Sequence, residues 1–239
     1  MALARRPFAS FVLIAGALAL GSCTRSGDHS AHVMAGQPRA ANVPGGCSDP
    51  AAGRNDRVGC YLTAVHQLGR LPGPGLYWHV YTFTDRSTAE AERTRRSIVV
   101  EAFGRVWLYA IEPEGWRPAR GERMTAMGPL GIRKGVRYTA RYMEATFPPG
   151  LKTGAHAHSG PEAWYVLTGA QCLQTPDRTV IARAGEGALI PEGPPMVLSS
   201  IGTETRRSVL LVLHDSSRPW TGPFHDWQPG GPCHPPAGG

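Results

Sequence analysis

The sequence predicts a mainly β protein, with a barrel or sandwich of short strands after a small N-terminal α+β unit. Its 239 residues include 30 glycines and 22 prolines, which disfavour long helices and favour strands joined by tight turns. A chain of this length can bury a sizeable core. We expect five parts: a signal peptide at 1–22, a flexible tether at 23–46, the α+β unit at 47–126, the barrel at 127–215 and a tail rich in proline and glycine at 216–239.

The first 22 residues have the features of an export signal. Arg5 and Arg6 form a basic start, and the apolar run that follows is too short to span a bilayer. The tetrapeptide LGSC that ends at Cys23 resembles a bacterial lipobox. It predicts a periplasmic protein of the cell envelope, anchored in the membrane by a lipid on Cys23. Cleavage after Ala19 would instead give a secreted or soluble periplasmic protein.

The charge of the chain is mildly basic. Removing the signal peptide takes away two arginines and no acidic residue, so the formal charge falls from +7 to +5. The sequence has no lysine or arginine run and no basic pattern interleaved with aromatic residues. We therefore expect no nucleic-acid partner, and we interpret the charge as a source of solubility or of weak attraction to anionic surfaces.

Four cysteines remain when Cys23 is set aside: Cys47, Cys60, Cys172 and Cys233. An even number in an oxidising compartment predicts two disulfides, for which three pairings exist. We favour Cys47–Cys60 with Cys172–Cys233, because this pairing closes a short N-terminal loop and fixes the tail to the body of the protein. A thiolate metal site is the alternative, but no CxxC spacing supports it.

Two groups of strands follow from the pattern. In the N-terminal unit we expect strands at 76–83, 98–102 and 105–112, and a short helix that begins at Ser87 as N-cap with Glu90 completing a capping box. From about residue 127 the pattern changes to strands alone, separated by Gly or Pro. They are VRYTARYMEATF, AWYVLTG, AQCLQT, TVIARAG, GALIPEG, MVLSSIG and RRSVLLVLHD.

The segment PPGLKTGAHAHSGPEAWYVLTG, at 148–169, contains the candidate site. Because alternate side chains of a strand share a face, His156 and His158 must point the same way. A turn at Gly160-Pro161 can then bring Glu162 back beside the two imidazoles. Two neutral imidazoles and one carboxylate form a set with open positions that suits Fe(II), Mn(II), Ni(II) or Zn(II).

These residues resemble the cupin family. Its first motif, G-x5-H-x-H-x3-E-x6-G, is matched at every position by Gly150, His156, His158, Glu162 and Gly169. Its second motif, G-x5-P-x-G-x2-H-x3-N, is matched at Gly185, Pro191 and Gly193. The resemblance covers about 90 residues. It implies a double-stranded β-helix, the cupin jelly roll, with the metal ligands inside the barrel.

The chain departs from the second motif at two positions. Met196 stands where the motif has its last metal ligand, and Ser200 replaces the asparagine. A thioether binds Cu(I) well and harder divalent ions poorly, so Met196 either indicates copper or only lines the pocket together with Trp164, and we favour the lining role. His214 is a weaker candidate for the missing imidazole.

Three hypotheses about function remain open on the sequence. In the first, the chain is a metal-dependent enzyme of the cell envelope that acts on a small organic substrate. In the second, it is a non-catalytic module that binds a small ligand or a metal ion. In the third, it is a lipid-anchored structural protein that uses the barrel for homodimer contacts. No acid–base pair is visible beyond the ligands, so we assign no catalytic residue.

Overall fold

The computed structural model describes residues 47, 57–231 and 233. These residues belong to one compact unit, Pro38–Gly239. The predictions about the signal peptide, the tether and Cys23 fall on positions outside the described residues. Within the described residues, no helix has both the length and the apolar character needed to cross a membrane.

Fourteen strands and one short helix make up the described chain. In order they are β1 Gly59–Arg70, β2 Leu76–Phe83, α1 Arg86–Ala91, β3 Ser97–Ala102, β4 Arg105–Pro113, β5 Glu122–Met127, β6 Arg137–Phe147, β7 His156–His158, β8 Glu162–Thr168, β9 Ala170–Gln174, β10 Thr179–Arg183, β11 Gly187–Ile190, β12 Val197–Ile201, β13 Arg206–Asp215 and β14 Thr221–Pro223.

The strands form four antiparallel sheets. A five-stranded sheet has the order β1-β6-β13-β8-β11, and a three-stranded sheet has the order β10-β9-β12. The pair β14-β7 adds a short third piece, and the N-terminal strands form a sheet of order β3-β4-β2-β5. The predicted mainly β fold with a jelly-roll barrel is confirmed.

Strands β6 and β8–β13 correspond to the seven strands that the sequence pattern predicts after residue 127. The pattern did not reveal β1, β5 and β14, whereas β7 is the short strand on which the sequence placed His156 and His158. Strand β1 lies in the predicted N-terminal unit, yet it pairs with β6 in the barrel sheet. The described strands of the predicted unit are therefore divided between two sheets. The domain boundaries themselves stay a prediction.

The N-cap of the helix lies two residues earlier than we expected. Asp85, and not Ser87, is the N-cap: its carboxylate accepts a hydrogen bond from the backbone N–H of Thr88 at 2.8 Å. The hydroxyl of Ser87 donates to the same carboxylate at 2.6 Å. A carboxylate accepts both bonds as an anion, which makes it the stronger cap of the two.

Strand β13 separates two apolar cores. Val209, Leu211 and Leu213 pack in one cluster with Tyr109 and Tyr142, which fills the space between the N-terminal sheet and the barrel. The alternate residues of β13 contribute to a second cluster inside the barrel, together with Leu173 and Leu198 of the three-stranded sheet. A strand buried on both faces has no polar alternation, which explains the continuous apolar run VLLVL.

The turn between β7 and β8 lies directly against the end of β13. The backbone N–H of Leu213 donates to the carbonyl of Pro161 at 2.9 Å, and that of Asp215 donates to the carbonyl of Ser159 at 3.1 Å. A Cβ on Gly160 would overlap the carbonyl oxygen of Leu213. Only glycine permits this approach, which fixes the path of the chain between His158 and Glu162.

Both favoured cysteine pairs are brought together. The Cα atoms are 4.6 Å apart for Cys47 and Cys60, and 6.2 Å apart for Cys172 and Cys233, within the range that a disulfide spans. The sequence separations are 13 and 61 residues. On the chain-entropy model, loops of this size correspond to about 3 and about 4 kcal/mol of stabilisation.

We predict that all four of these cysteines are oxidised in the mature protein. In a Cys23→Ser variant, thiol labelling under denaturing conditions without reductant should modify none of them, whereas the reduced control should be modified at all four. Two or more reactive thiols in the unreduced sample would contradict the disulfides.

Replacing Gly160 with Ala should destabilise the fold, because the added Cβ pushes the turn away from β13. We expect a loss of about 1–3 kcal/mol, typical of overpacking, in the free energy of unfolding measured with urea. Gly131→Ala is the matched control, since a Cβ there meets nothing within 4 Å. Equal stability of the two variants would show that the turn is not held as described.

Candidate metal centre

The two histidines lie on the three-residue strand β7. His156 and His158 are both buried, and Ala157 between them is half-buried on the other face. The imidazole rings meet edge to face, with their centroids 5.0 Å apart. The strand parity inferred from the sequence is therefore present.

Glu162 opens β8 immediately after the turn that packs on β13. Its register on the sheet is fixed, because it stands opposite Val212 of β13 and Ile190 of β11. One ligand atom from each of His156, His158 and Glu162 lies within 4.8 Å of the others. All three side chains are buried. The turn thus brings together the set that the sequence predicts.

Each imidazole is oriented through its Nδ1 atom. Nδ1 of His156 donates to the carbonyl of Gly154 at 2.9 Å, and Nδ1 of His158 donates to the carbonyl of Trp220 at 3.0 Å. A carbonyl accepts only, so the proton is on Nδ1 and the Nε2 lone pair is left free in the neutral ring. This is the arrangement found around metal-bound histidines, in which the distal nitrogen is fixed by a hydrogen bond.

The carboxylate of Glu162 is close to His158 but lacks a good hydrogen bond. Its Oε2 atom lies 3.3 Å from Nε2 of His158, a Coulombic contact, yet it has no aligned donor. Burial alone would raise the pKa of Glu162. The contact with His158, together with the charge of Arg206, outweighs that cost and lowers the pKa instead.

The two imidazoles differ in their electrostatic surroundings. Burial lowers the pKa of His156, and the neighbouring His158 lowers it further. Burial also acts to lower the pKa of His158, but the close contact with Glu162 and its charge raise it overall. Protons therefore compete with any metal ion chiefly at Nε2 of His158.

The three side chains border a small cavity of about 40 Å³ inside the barrel. One water molecule needs a cavity volume of about 10–15 Å³ on the same measure. The cavity therefore has room for an ion and a ligand of few atoms. Its other lining residues are Cys47, Cys60, Met143, Ala145, Phe147, Thr153, Leu198, Arg206, Leu210, Val212 and Trp220.

Trp164 and Met196 lie elsewhere than we expected. Both are buried in the apolar cluster of the barrel and neither is among the described residues that line the cavity. Trp164 shares the face of Glu162 but stands two residues further along β8, where its ring fills the core opposite Leu210. Met196 is the cross-strand neighbour of His156, and their backbones exchange hydrogen bonds of 2.8 and 3.1 Å.

His214 does not join the candidate ligands. Its Nδ1 bonds to the carbonyl of Asp215 at 2.9 Å, and the residue is absent from the cluster of potential ligand atoms found among the described residues. It stands opposite Thr139, one same-face position beyond Val212 and towards the end of the sheet. At this position His214 is not among the described residues that line the cavity.

Trp220 and Arg206 are cavity residues that the sequence analysis did not identify as such. Trp220 lies in the predicted irregular tail, but the tail contributes strand β14, which pairs with β7. The Trp220 ring stacks on His158 with centroids 5.6 Å apart, while its carbonyl orients the same imidazole. Arg206 opens β13 and is almost wholly buried. Its inward direction follows from the parity of Leu210 and Val212, a signal that the apolar run concealed.

The residues present fit a divalent metal ion. They offer two imidazole nitrogens and one carboxylate oxygen, a donor set that suits Zn, Fe, Mn or Ni. Burying the Glu162 oxygen without a hydrogen-bond donor is costly, and a cation beside it would remove that cost.

Comparison with solved structures finds matches of low sequence identity and low TM-score. A cupin-2 domain containing protein from Shewanella frigidimarina is 18% identical, with 30% of this chain and 68% of that chain covered and a TM-score of 0.27. A cupin-like protein from Thermotoga maritima is 17% identical, with 36% and 64% covered and a TM-score of 0.33. A DMSP lyase from Ruegeria pomeroyi is 15% identical, with 35% and 42% covered and a TM-score of 0.31. Similarities of this size do not extend a neighbour's activity to this chain.

Among curated proteins, none matches the chain. A family model described as a cupin domain matches residues 143–212, from the second half of β6 to Val212 in β13. This stretch contains His156, His158 and Glu162 together with the strands that position them. Residues 143–212 of the chain therefore carry a cupin domain.

Proposed function

We propose that the chain is a metal-binding cupin-domain protein of the cell envelope, which holds a divalent ion through His156, His158 and Glu162 beside a cavity for a small ligand. The observation that carries the proposal is the convergence of three buried ligand atoms within 4.8 Å. Both imidazoles have their Nδ1 atoms bonded to carbonyls, so their Nε2 lone pairs are available at the same place.

The surroundings support a site prepared before the ion arrives. Trp220 covers His158, and the guanidinium carbon of Arg141 lies 5.3 Å from the Trp220 ring centroid. The ligand side chains are therefore held by packing as well as by hydrogen bonds, which reduces the ordering cost of binding. A bound divalent ion would supply Lewis acidity. The chain's own residues orient the two imidazoles and line the cavity beside them.

Two versions of this function remain, and they differ in turnover. As a metal-dependent enzyme, the protein would convert a small organic substrate. As a non-catalytic module, it would release its ligand unchanged. The described lining of the cavity contains no carboxylate or imidazole besides the three candidate ligands. It therefore offers no separate acid or base for catalysis, and we keep the non-catalytic module as the second version. Product analysis after incubation of the metal-loaded protein with a small-molecule library separates the two versions.

The first prediction here concerns the metal. Protein purified from its native envelope should contain about one equivalent of a divalent ion, measured by mass spectrometry of the metal content. Alanine at His156, His158 or Glu162 should each abolish it, because two remaining donors do not hold the ion. Met196→Leu is the matched control: it changes a buried neighbour of His156 without removing an imidazole or carboxylate, so the metal should stay.

The result for Met196→Leu shows whether the thioether is a metal ligand. Loss of metal in Met196→Leu would make the thioether a ligand and would indicate copper. Wild-type protein that carries no metal and binds none on titration would overturn the proposal.

The envelope location predicts that Cys23 is lipidated. A Cys23→Ser variant should move from the membrane fraction to the soluble fraction, because it lacks the acyl chains that hold the protein in the bilayer. Fractionation followed by immunoblotting measures this, and an unlipidated periplasmic protein serves as the soluble control. A wild-type chain that is already soluble in the periplasm would exclude the anchor.

A further inference from the structure

Arg206 is a buried cation beside the candidate metal centre. Its side chain lines the same cavity as His156, His158 and Glu162, and only 1% of the residue is exposed. Burial lowers its pKa to about 9, while the charge of Glu162 acts in the opposite direction. The guanidinium therefore keeps its positive charge at neutral pH.

The guanidinium is held in place on one side. Its Nη1 atom donates to the amide oxygen of Gln171 and to the hydroxyl of Ser208, the latter at 2.9 Å. The ring of Phe147 lies against it, with the guanidinium carbon 4.2 Å from the ring centroid. Its Nε atom, by contrast, is buried and has no hydrogen-bond partner. A fixed guanidinium with an unused donor is a ready recognition group for a planar oxyanion.

The charges around the cavity point to the same class of ligand. Among the described residues that line it, Arg206 and Glu162 are the two with a formal charge, and those charges cancel. A divalent ion bound by Glu162 and two neutral imidazoles would add two positive charges to this buried space. Uncompensated charge is costly away from water, so a loaded site favours an anion.

We propose that the cavity is an anion pocket in which Arg206 holds a small oxyanion, of carboxylate or bicarbonate size, when a divalent ion is present. The volume of about 40 Å³ limits the ligand to a few heavy atoms. This inference rests on the proposed metal binding. It makes Arg206 a specificity-determining residue.

Calorimetric titration of formate into the full mature protein tests the proposal. Zinc content is measured first, in wild type and in every variant. Formate should bind the zinc-loaded protein at least tenfold more tightly than it binds the metal-free protein. It should also bind the loaded protein at least tenfold more tightly than formamide does, because formamide has a similar shape but no charge.

Variants assign the effect to Arg206. Arg206→Gln should lower formate affinity at least tenfold while zinc remains bound, because removing a positive charge does not weaken cation binding. Arg206→Lys keeps the charge without the planar fork and should retain more formate binding than Arg206→Gln. Arg183→Gln removes an exposed arginine of β10 outside the cavity and should leave the affinity unchanged.

The outcomes separate this inference from the proposed function. A wild-type protein that takes up no zinc overturns both. A zinc-loaded wild type that fails to distinguish formate from formamide overturns the anion pocket alone, and this comparison needs no variant to fold. Unchanged formate affinity in a folded, zinc-loaded Arg206→Gln variant also overturns it.

Discussion

The structure around the candidate site depends on how three polar side chains are accommodated in the buried interior of the barrel. Two hydrogen bonds to main-chain carbonyls, from Nδ1 of His156 and Nδ1 of His158, meet most of that requirement. The carbonyls belong to Gly154, just before β7, and to Trp220, far along the chain. Each bond fixes both the ring orientation and the tautomer, so the free nitrogens face Glu162. If either carbonyl moved, a polar nitrogen would be left buried without a partner.

The five-stranded sheet supports the candidate site through its central strand. Strand β13 is the centre of the five-stranded sheet, and its alternate residues belong to two different cores. One face packs on the aromatic side chains of the N-terminal sheet, while the other carries Arg206, Leu210 and Val212 into the cavity. The N-terminal sheet is thus connected to the site through the rigidity of one shared strand.

The sequence predicted the features that depend on residue spacing and on local strand and turn patterns. Fixed spacing identified His156, His158 and Glu162, and strands bounded by Gly or Pro were recognised throughout the barrel. Strand β1 escaped because its pattern is irregular: Val65 is exposed, and the pairing with β6 shifts register twice. The cap at α1 was misassigned because Asp85 and Ser87, two positions apart, are both residue types that cap helices. Only the geometry shows that the Asp85 carboxylate accepts the backbone N–H of Thr88, while the Ser87 hydroxyl donates to that carboxylate. The position of Trp220 depends on a contact between distant segments, which a single sequence does not encode locally. The parity that directs Arg206 inward was concealed by the continuous apolar run of β13.

The walls of the cavity come from distant parts of the chain. Cys47 and Cys60 lie at one end of the described sequence, while Trp220 lies near the other. Contacts of such long sequence separation form slowly, whereas pairs such as β3–β4 and β9–β10 are joined by short loops. The cavity is therefore built from contacts of long sequence separation, and its walls are complete only when both distant segments are in place.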